Sequence, residues 1–277
     1  MRFRAPECLS ENHQTEDRRS EMSKETEPAA QFKEETMVEH YEARQNLVVP
    51  GRSELYAAML QMIAVGSERA TLVDLGCGRA TFSELLLKRF PHLDLILLDF
   101  SAAMLAAAER QLKPYAERVS FVHEDLNSGV WHSKLAGEVR GVVSSHAIHH
   151  LADKRKRQLY REIYEITDKR GFFINGDLVC AEDPHVNAHF EEVWVDFIFS
   201  NVSRTADFQK SAAMRAAIRE RHHAAQQEEG DKPARMTDQI SWLREVGFQA
   251  AFPFWQHFGF AALAAYKDPR ELANIER

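Results

Sequence analysis

Residues 72–83, LVDLGCGRATFS, decide the fold of this chain. An apolar run ends at the acid Asp74, turns through Gly76 and Gly78, and continues into a segment with helical spacing. This order predicts a buried strand, a tight loop and a helix N-terminus, whose backbone N–H groups face a nucleotide-like ligand in an open α/β sheet. The stretch therefore predicts a nucleoside-binding α/β domain.

A second acid stands in register with this loop. Residues 95–98 form another apolar run, and Asp99 follows it, about twenty residues beyond the loop. An acid at the end of the second strand is placed to accept hydrogen bonds from ribose hydroxyls. Asp74 argues against a dinucleotide, because its carboxylate would repel a pyrophosphate but attract an ammonium or sulfonium group. The two acids together favour a positively charged nucleoside.

Strands and helices alternate along the rest of the chain. Strands are expected at 71–75, 94–99, 119–123, 141–145 and 172–178, and helices at 80–89, after Ser101 as N-cap, and at 153–168. Gly171 marks the expected turn before the fifth strand. Such alternation predicts a doubly wound α/β fold with parallel strands. After a helix near 237–246, two apolar runs at 248–255 and 258–266 predict an antiparallel pair.

The composition changes ahead of the first strand. Residues 1–36 are mostly charged or polar and cannot bury enough apolar surface to offset their ordering entropy, so we expect a disordered leader. Met22 is an alternative natural start. Residues 37–277 form the expected single domain, and the helical stretch at 181–235, which interrupts the strand pattern, is the expected lid insertion.

Charge and cysteine content exclude several classes of protein. A net charge of −7 provides no concentrated basic face, so nucleic acid is not expected as a partner. No run reaches the ~20 apolar residues of a membrane span, and no apolar signal core is present near the first residue. The three cysteines, Cys8, Cys77 and Cys180, are far apart and indicate no disulfide framework. We expect a cytoplasmic protein and leave a homodimer open.

The loop resembles motif I of the class I S-adenosylmethionine-dependent methyltransferases, whose usual form is Asp-Leu-Gly-Cys-Gly-x-Gly. Further similar segments lie at residues 99–101, 123–126, 145–151 and 242–248. The resemblance spans roughly residues 38–266 and departs at Ala80, which replaces the third glycine but still permits close packing of helix on strand. It implies a seven-stranded, mainly parallel Rossmann-like sheet with an antiparallel final strand, and S-adenosyl-L-methionine as cofactor.

The resemblance also implies which residues bind the cofactor. The glycine loop would lie against the methionine part, Asp99 would bind the ribose, and Met104 would cover the adenine face. Asp125 and the Leu126 backbone would read the adenine edge. The full implied set is Tyr41, Arg44, Asp74, Gly76, Cys77, Gly78, Asp99, Phe100, Ser101, Met104, Asp125, Leu126 and Ser144. Tyr41 and Arg44 would reach the cofactor carboxylate, since an arginine fork matches a carboxylate.

Histidines cluster after the fourth strand. By the resemblance, His146 and Ser144 would lie under the sulfonium, and His146 and His149 are the candidates for a direct chemical role. His185 and His189, four residues apart, could share a helical face as zinc ligands do. No further ligand stands at a fixed short spacing and no cysteine pair exists, so the sequence predicts no metal site.

An apolar stripe at helical spacing runs through residues 186–198. Core packing explains such a stripe; the alternative is that Trp194 and Phe197 also wall a substrate pocket together with Trp255. An aromatic cavity would suit an apolar or cationic small molecule.

The expected function is S-adenosylmethionine-dependent methyl transfer to a small-molecule acceptor, at an oxygen, nitrogen or carbon atom. One alternative is modification of the cofactor itself, because the C-terminal region also resembles the carboxy-S-adenosylmethionine synthases. That family has an arginine where Trp242 stands, to hold the added carboxylate, which weighs against this alternative. The other alternative is a non-catalytic S-adenosylmethionine-binding regulatory module.

Overall fold

The computed structural model describes residues 44–135, 137–205 and 212–275. Residues 1–36, including Met22, and the cofactor candidate Tyr41 therefore lie outside the described residues. The strands are β1 (Ala70–Leu75), β2 (Leu93–Asp99), β3 (Val119–His123), β4 (Val139–Ser145), β5 (Thr167–Cys180), β6 (Ala234–Arg235), β7 (Ala250–His257) and β8 (Phe260–Tyr266).

The helices follow the alternation expected from the sequence. They are α1 (Arg52–Leu60), α2 (Thr81–Arg89), α3 (Ala102–Gln111), α4 (Asp153–Ile166), α5 (Pro184–Thr205), α6 (Ala212–Glu229) and α7 (Met236–Glu245). Ser101 is the N-cap of α3, as expected, and its side chain accepts a hydrogen bond from Met104 N. In the described parts of the chain, no helix combines the length and the apolar character needed to cross a bilayer.

A mixed sheet forms the centre of the molecule, in the order β3-β2-β1-β4-β5-β8-β7. The first five strands pair in parallel, and β8 runs antiparallel to both β5 and β7. The doubly wound α/β fold with an antiparallel final strand is thus confirmed. The strand count differs by one, because the two-residue β6 also pairs with the end of β5 and makes the sheet eight-stranded.

The start of β5 also differs from the expectation. Helix α4 ends at Ile166 and the strand begins at once with Thr167, so Gly171 lies within the bounds of β5 rather than before them. The pairing register with β4 shifts between Val139 and Gly141, opposite this point. A Cβ at Gly171 would stand 2.6 Å from Thr167 Cβ, so glycine allows the strand to fold closely over itself at the irregularity.

Helices cover both faces of the sheet. Successive residues of a strand point to opposite faces, so Leu72 and Phe172 enter one apolar cluster while Val73 and Phe173 enter the other. Near-continuous apolar strands are what a sheet buried on both sides requires. The strand interiors are therefore filled by packing, which leaves the strand ends for polar chemistry.

Helices α5 and α6 occupy most of the stretch in which an insertion is expected. Ion pairs join them: Arg215 lies 2.9 Å from Glu192 and 2.5 Å from Asp196, and Arg219 lies 2.6 Å from Glu192. The last two residues of that stretch, Ala234 and Arg235, form β6, so the segment returns to the sheet before α7 begins.

Candidate functional site

A cleft opens at the carboxyl ends of β1 and β4. These strands are neighbours at the point where the strand order reverses, which is where ligands bind in open α/β sheets. The residues lining the cleft are Gln45, Arg52, Tyr56, Asp74, Gly76, Cys77, Gly78, Arg79, Thr81, Phe82, Ser145 and His146. The glycine loop and the first candidate histidine therefore share one site.

The glycine loop is folded tightly against the neighbouring strand ends. The backbone N–H groups of Gly76 and Cys77 both donate to the carbonyl of Leu98, at 2.8 and 3.0 Å. Gly76 has φ +68°, and a Cβ there would stand 2.3 Å from the Cβ of Ala147. Only glycine meets both demands, so this position couples the loop to the segment after β4.

Ala80 lies at the third glycine position of the loop and precedes α2 as its N-cap. It is fully buried, consistent with the close packing expected there, yet its φ is +65°, in the left-handed region. An L-residue in that region costs roughly 1–2 kcal/mol. The chain therefore keeps the backbone conformation of the glycine it lacks.

Two buried acids flank the loop. Asp74 accepts a hydrogen bond from Ser83 Oγ, and burial raises its pKa to about 7, an effect that Ser83 opposes and Asp99 reinforces. Asp99 accepts hydrogen bonds from Gly78 N at 2.9 Å and Ser101 N at 2.8 Å. Burial raises the pKa of Asp99 to about 6 although these N–H groups favour its charged form. Both acids are thus held where a positive or hydroxyl-bearing ligand would relieve the cost of their burial.

The remaining cofactor candidates lie at or just after the ends of β2 and β3, and they are not in the lining of the cleft. Met104 is buried in the first turn of α3, and the Phe100 carbonyl accepts from His123 Nε2 at 2.8 Å. Asp125 caps a short turn by accepting from Asn127 N at 2.8 Å, and the Leu126 carbonyl accepts from Arg155 Nε at 2.6 Å. The structure thus gathers them at one edge of the sheet.

Ser145 lines the cleft where the sequence had suggested Ser144. Ser144 is fully buried and its Oγ donates to the Leu75 carbonyl at 2.8 Å, whereas Ser145 lines the cleft. Adjacent strand residues point to opposite faces, so a shift of one residue decides which hydroxyl meets the ligand. The apolar run of β4 does not indicate which of the two serines faces the cleft.

His146 lies at the centre of the cleft wall in a strained conformation. Its φ is +54°, its Nδ1 is hydrogen-bonded to Ser145 Oγ at 2.8 Å, and its Nε2 is buried without a hydrogen-bond partner among the described residues. Burial lowers the pKa of His146 to about 3, against a smaller opposing effect of Asp177. The imidazole is therefore neutral, with Nδ1 held by Ser145 and Nε2 unpaired among the described residues.

Helix α1 contributes two residues that the sequence reasoning missed. Arg52 Nε donates to Tyr56 OH at 3.2 Å, its guanidinium lies 5.2 Å from the Tyr56 ring centroid, and Ser145 Oγ donates to the same hydroxyl at 3.3 Å. Their i,i+4 spacing was the available signal, since it puts both side chains on one helix face. Arg44, the expected carboxylate partner, is half-buried and is not in the lining of the cleft.

His149 is held elsewhere, below the cleft lining. Its Nδ1 donates to Asp177 Oδ1 at 2.5 Å and its backbone N–H donates to Asp177 Oδ2 at 2.9 Å. Its Nε2 lies 3.5 Å from Asp231 Oδ1, and His150 Nδ1 lies 3.2 Å from the same oxygen. Burial alone would lower the pKa of His149, but the charges and hydrogen bonds of Asp177 and Asp231 together outweigh it and raise that pKa to about 10.

The two acids around His149 could not be read from the sequence. Asp177 lies on β5 and Asp231 follows α6, and neither position has a local pattern that links it to the histidines. The absence of a third ligand at short spacing was the argument against a metal site. In the folded chain, His149, His150 and Asp231 bring three potential ligand atoms within 4.8 Å of one another.

The predicted pocket aromatics are only partly gathered. Trp194 and Trp255 both pack against a small apolar cluster of Val49, Leu178 and Phe260. The Trp194 ring lies 4.8 Å from that of Phe260, and its Nε1 donates to the Val48 carbonyl at 2.5 Å. Phe197 is half-buried, one turn further along α5 and outside this cluster.

Comparison with known proteins links this geometry to a family. Residues 72–171 match a family model described as a methyltransferase domain. The carboxy-S-adenosyl-L-methionine synthase of Nautilia profundicola is 22% identical over 202 residues, which are 73% of this chain and 79% of that protein.

Two solved structures share the fold. An O-methyltransferase family protein from Burkholderia thailandensis superposes with a TM-score of 0.62 at 14% identity, covering 86% of this chain and 62% of that one. Human N-acetylserotonin methyltransferase, in complex with S-adenosylmethionine, has a TM-score of 0.55 at 16% identity, covering 85% and 57%. This chain spans less than two thirds of either solved chain. At such identities the likeness establishes the fold.

Proposed function

Because the chain belongs to the class I S-adenosylmethionine-dependent methyltransferase family and takes S-adenosyl-L-methionine as its cofactor, we propose that it is an enzyme that methylates a small-molecule acceptor. The observation that supports catalysis is His146, a buried neutral imidazole in the cleft wall whose Nε2 makes no hydrogen bond to the described residues. When bound, the cofactor supplies a methyl group activated by its sulfonium.

The residues around the cleft fit such a cofactor in charge and in hydrogen bonding. Asp74 offers a carboxylate to the cationic end, and Asp99 offers lone pairs to the ribose hydroxyls in addition to the two backbone bonds it accepts. Met104, Phe100, Ser101, Asp125 and Leu126 are proposed to surround the adenosine. Arg52 replaces Arg44 in this proposal as the partner of the cofactor carboxylate, because its side chain lines the cleft.

His146 is proposed to orient the acceptor. Its Nδ1 is held by Ser145, so Nε2 is fixed in direction and can accept a hydrogen bond from an O–H or N–H of the acceptor. That bond points a lone pair of the acceptor toward the methyl group, and orientation alone can supply roughly 7–11 kcal/mol. His149, which lies outside the lining, is proposed to position the turn that carries His146.

Helices α5 and α6 are proposed to cover the acceptor as a lid. Trp194 and Trp255 converge on one cluster near the cleft, and Phe197 extends the same face of α5. Aromatic walls would favour an apolar or cationic acceptor and exclude water from the transfer. The acidic balance of the chain gives no support to a nucleic acid substrate.

Two measurements test the cofactor assignment. Native mass spectrometry of the purified protein, followed by identification of the released nucleoside, is expected to show S-adenosylmethionine or its demethylated product. Asp99→Ala is expected to weaken S-adenosylmethionine binding at least tenfold, whereas Asp94→Ala, an acid on the same strand paired with Arg69, leaves it unchanged. Equal affinities in the two variants would reject the ribose assignment.

Methyl transfer itself is tested by screening small-molecule acceptors with S-adenosylmethionine that carries a labelled methyl group. His146→Ala is expected to lower turnover at least a hundredfold while S-adenosylmethionine affinity stays within threefold of wild type. Full activity of His146→Ala would remove the proposed role of this residue. Binding of cofactor without turnover of any acceptor would favour the non-catalytic module.

A second candidate is modification of the cofactor, the activity for which the Nautilia relative is named. The match to that relative covers most of this chain, which favours this second candidate. Trp242 weighs against it, because this side chain is buried, with the Arg157 guanidinium 4.8 Å from its ring centroid, and lies outside the cleft lining. A carboxylated nucleoside released from the purified protein would decide for this candidate.

A further inference from the structure

The turn after β4 carries a cluster of side chains that lie outside the lining of the cleft. His149 and His150 lie side by side, with ring centroids 4.0 Å apart, and both face Asp231 from the loop that follows α6. We propose that His149, His150 and Asp231 bind one divalent transition-metal ion of the zinc type, which fastens the end of the α5–α6 segment to the sheet.

The distances are compatible with metal coordination and are long for charge-assisted hydrogen bonds. Asp231 Oδ1 lies 3.5 Å from His149 Nε2 and 3.2 Å from His150 Nδ1, whereas charge-assisted N–H···O bonds measure about 2.7–2.9 Å. Zinc bonds to histidine and carboxylate are about 2.0–2.2 Å long, and tetrahedral geometry then separates neighbouring ligand atoms by about 3.3–3.5 Å. The observed spacings fall around that range.

Asp177 supplies the second feature of a metal site. It accepts the Nδ1 proton of His149 at 2.5 Å, which leaves Nε2 as the ring nitrogen that faces Asp231; a metal ion bound there would displace the proton that Nε2 carries in the empty protein. Metal-binding histidines usually donate their other ring nitrogen to a carboxylate in this way. The carboxylates of Asp177 and Asp231 together carry two negative charges, which a divalent cation at this position would balance.

Neighbouring contacts already hold the same loop in place. Lys232 N donates to the His149 carbonyl at 2.7 Å, and the buried Lys156 ammonium donates to the Lys232 carbonyl. The three ligands are therefore presented by backbone that is fixed on both sides. The His150 side chain is 27% exposed, so water can reach the site and complete a fourth position.

The metal is tested on untagged, full-length protein that has been stripped with a chelator and dialysed. Zinc is then titrated by calorimetry, and bound metal is counted by elemental mass spectrometry. Wild type is expected to bind one zinc ion per chain, and Asp231→Asn and His150→Asn are each expected to weaken binding at least tenfold. The double variant His185→Asn/His189→Asn is the matched control, because it removes two exposed histidines on α5 and leaves the cluster intact.

Cobalt substitution gives a second measurement that needs no stable variant. Cobalt bound at a tetrahedral site in wild type would give visible absorption bands, and these bands would disappear when zinc displaces the cobalt ion. Zinc should also raise the melting temperature of wild type, since an ion that binds only the folded state stabilises it. Equal zinc affinity in all four proteins, or no binding by wild type, would overturn the proposal, and neither result depends on the methyl-transfer assignment.

Discussion

At the scale of single residues, the loop after β1 depends on Gly76. Gly76→Ala combines a left-handed φ of +68° with a Cβ 2.3 Å from Ala147, and Gly66→Ala introduces a similar φ of +59° with nothing within 4 Å. We expect Gly76→Ala to lower the free energy of unfolding by about 2–4 kcal/mol and Gly66→Ala by about 1 kcal/mol. Urea denaturation measures both. Equal losses would show that strain alone, without the clash, sets the requirement for glycine.

The charge of Asp74 predicts how cofactor binding depends on pH. Burial raises the pKa of this acid to about 7, so in the empty protein its protonated form is favoured at lower pH, and stability falls as pH rises through that value. A cationic ligand binds the ionised form and displaces the proton. Affinity for S-adenosylmethionine is therefore expected to rise between about pH 6 and pH 8, as calorimetry at several pH values would show.

Two variants separate this effect from the titration of other groups. Asp74→Asn keeps the size of the side chain but cannot ionise, so its affinity should be lower and nearly flat over the same interval. Ser83→Ala removes the hydrogen bond that opposes the rise in the Asp74 pKa and should move the midpoint to higher pH. Affinity that falls with pH in wild type would contradict an attractive role for this carboxylate.

At the scale of elements, Asp177 on β5 fastens the turn after β4. It accepts from the backbone and the ring of His149 and from Leu178 N, so Asp177→Ala leaves several buried donors without an acceptor. We expect a loss of about 3–5 kcal/mol in the free energy of unfolding, measured in chelator so that no metal contributes. Asp94→Ala, which removes an exposed pair with Arg69, should leave stability close to wild type. A small effect of Asp177→Ala would show that the turn is held by packing alone.

The elements also show what the sequence could predict. The unit of β1, glycine loop and α2 was predictable because apolar spacing and Gly76 act over short distances, and the start of α3 was predictable because its Ser101 cap is equally local. The pairing of Ala234 with Val179 was not, because a two-residue strand has no period of its own and forms only where the tertiary fold brings it to an edge. The same reason hid Asp231, which meets His149 only after α5 and α6 have packed.

At the scale of the whole molecule, two apolar clusters share one sheet, and the cleft lies where its strand order reverses. Local signals placed Asp74 and Asp99 correctly at strand ends, whereas Arg52 reaches the cleft from α1, the helix before the first strand, through tertiary packing. The binding surface is thus assembled from segments that are distant in sequence. A ligand in the cleft would contact several of them at once.

Cofactor binding should therefore stabilise the folded chain as a unit. At a free S-adenosylmethionine concentration one hundred times the dissociation constant, linkage predicts about 2.7 kcal/mol of added stability. For a chain of this size that corresponds to a rise in melting temperature of roughly 5–10 °C. Differential scanning calorimetry measures the shift. Asp94→Ala should keep it, and Asp99→Ala should lose about half of it or more at the same concentration, because a tenfold weaker affinity leaves about 1.4 kcal/mol of the added stability. A shift that persists undiminished in Asp99→Ala would place the nucleoside away from the ends of β1 and β2.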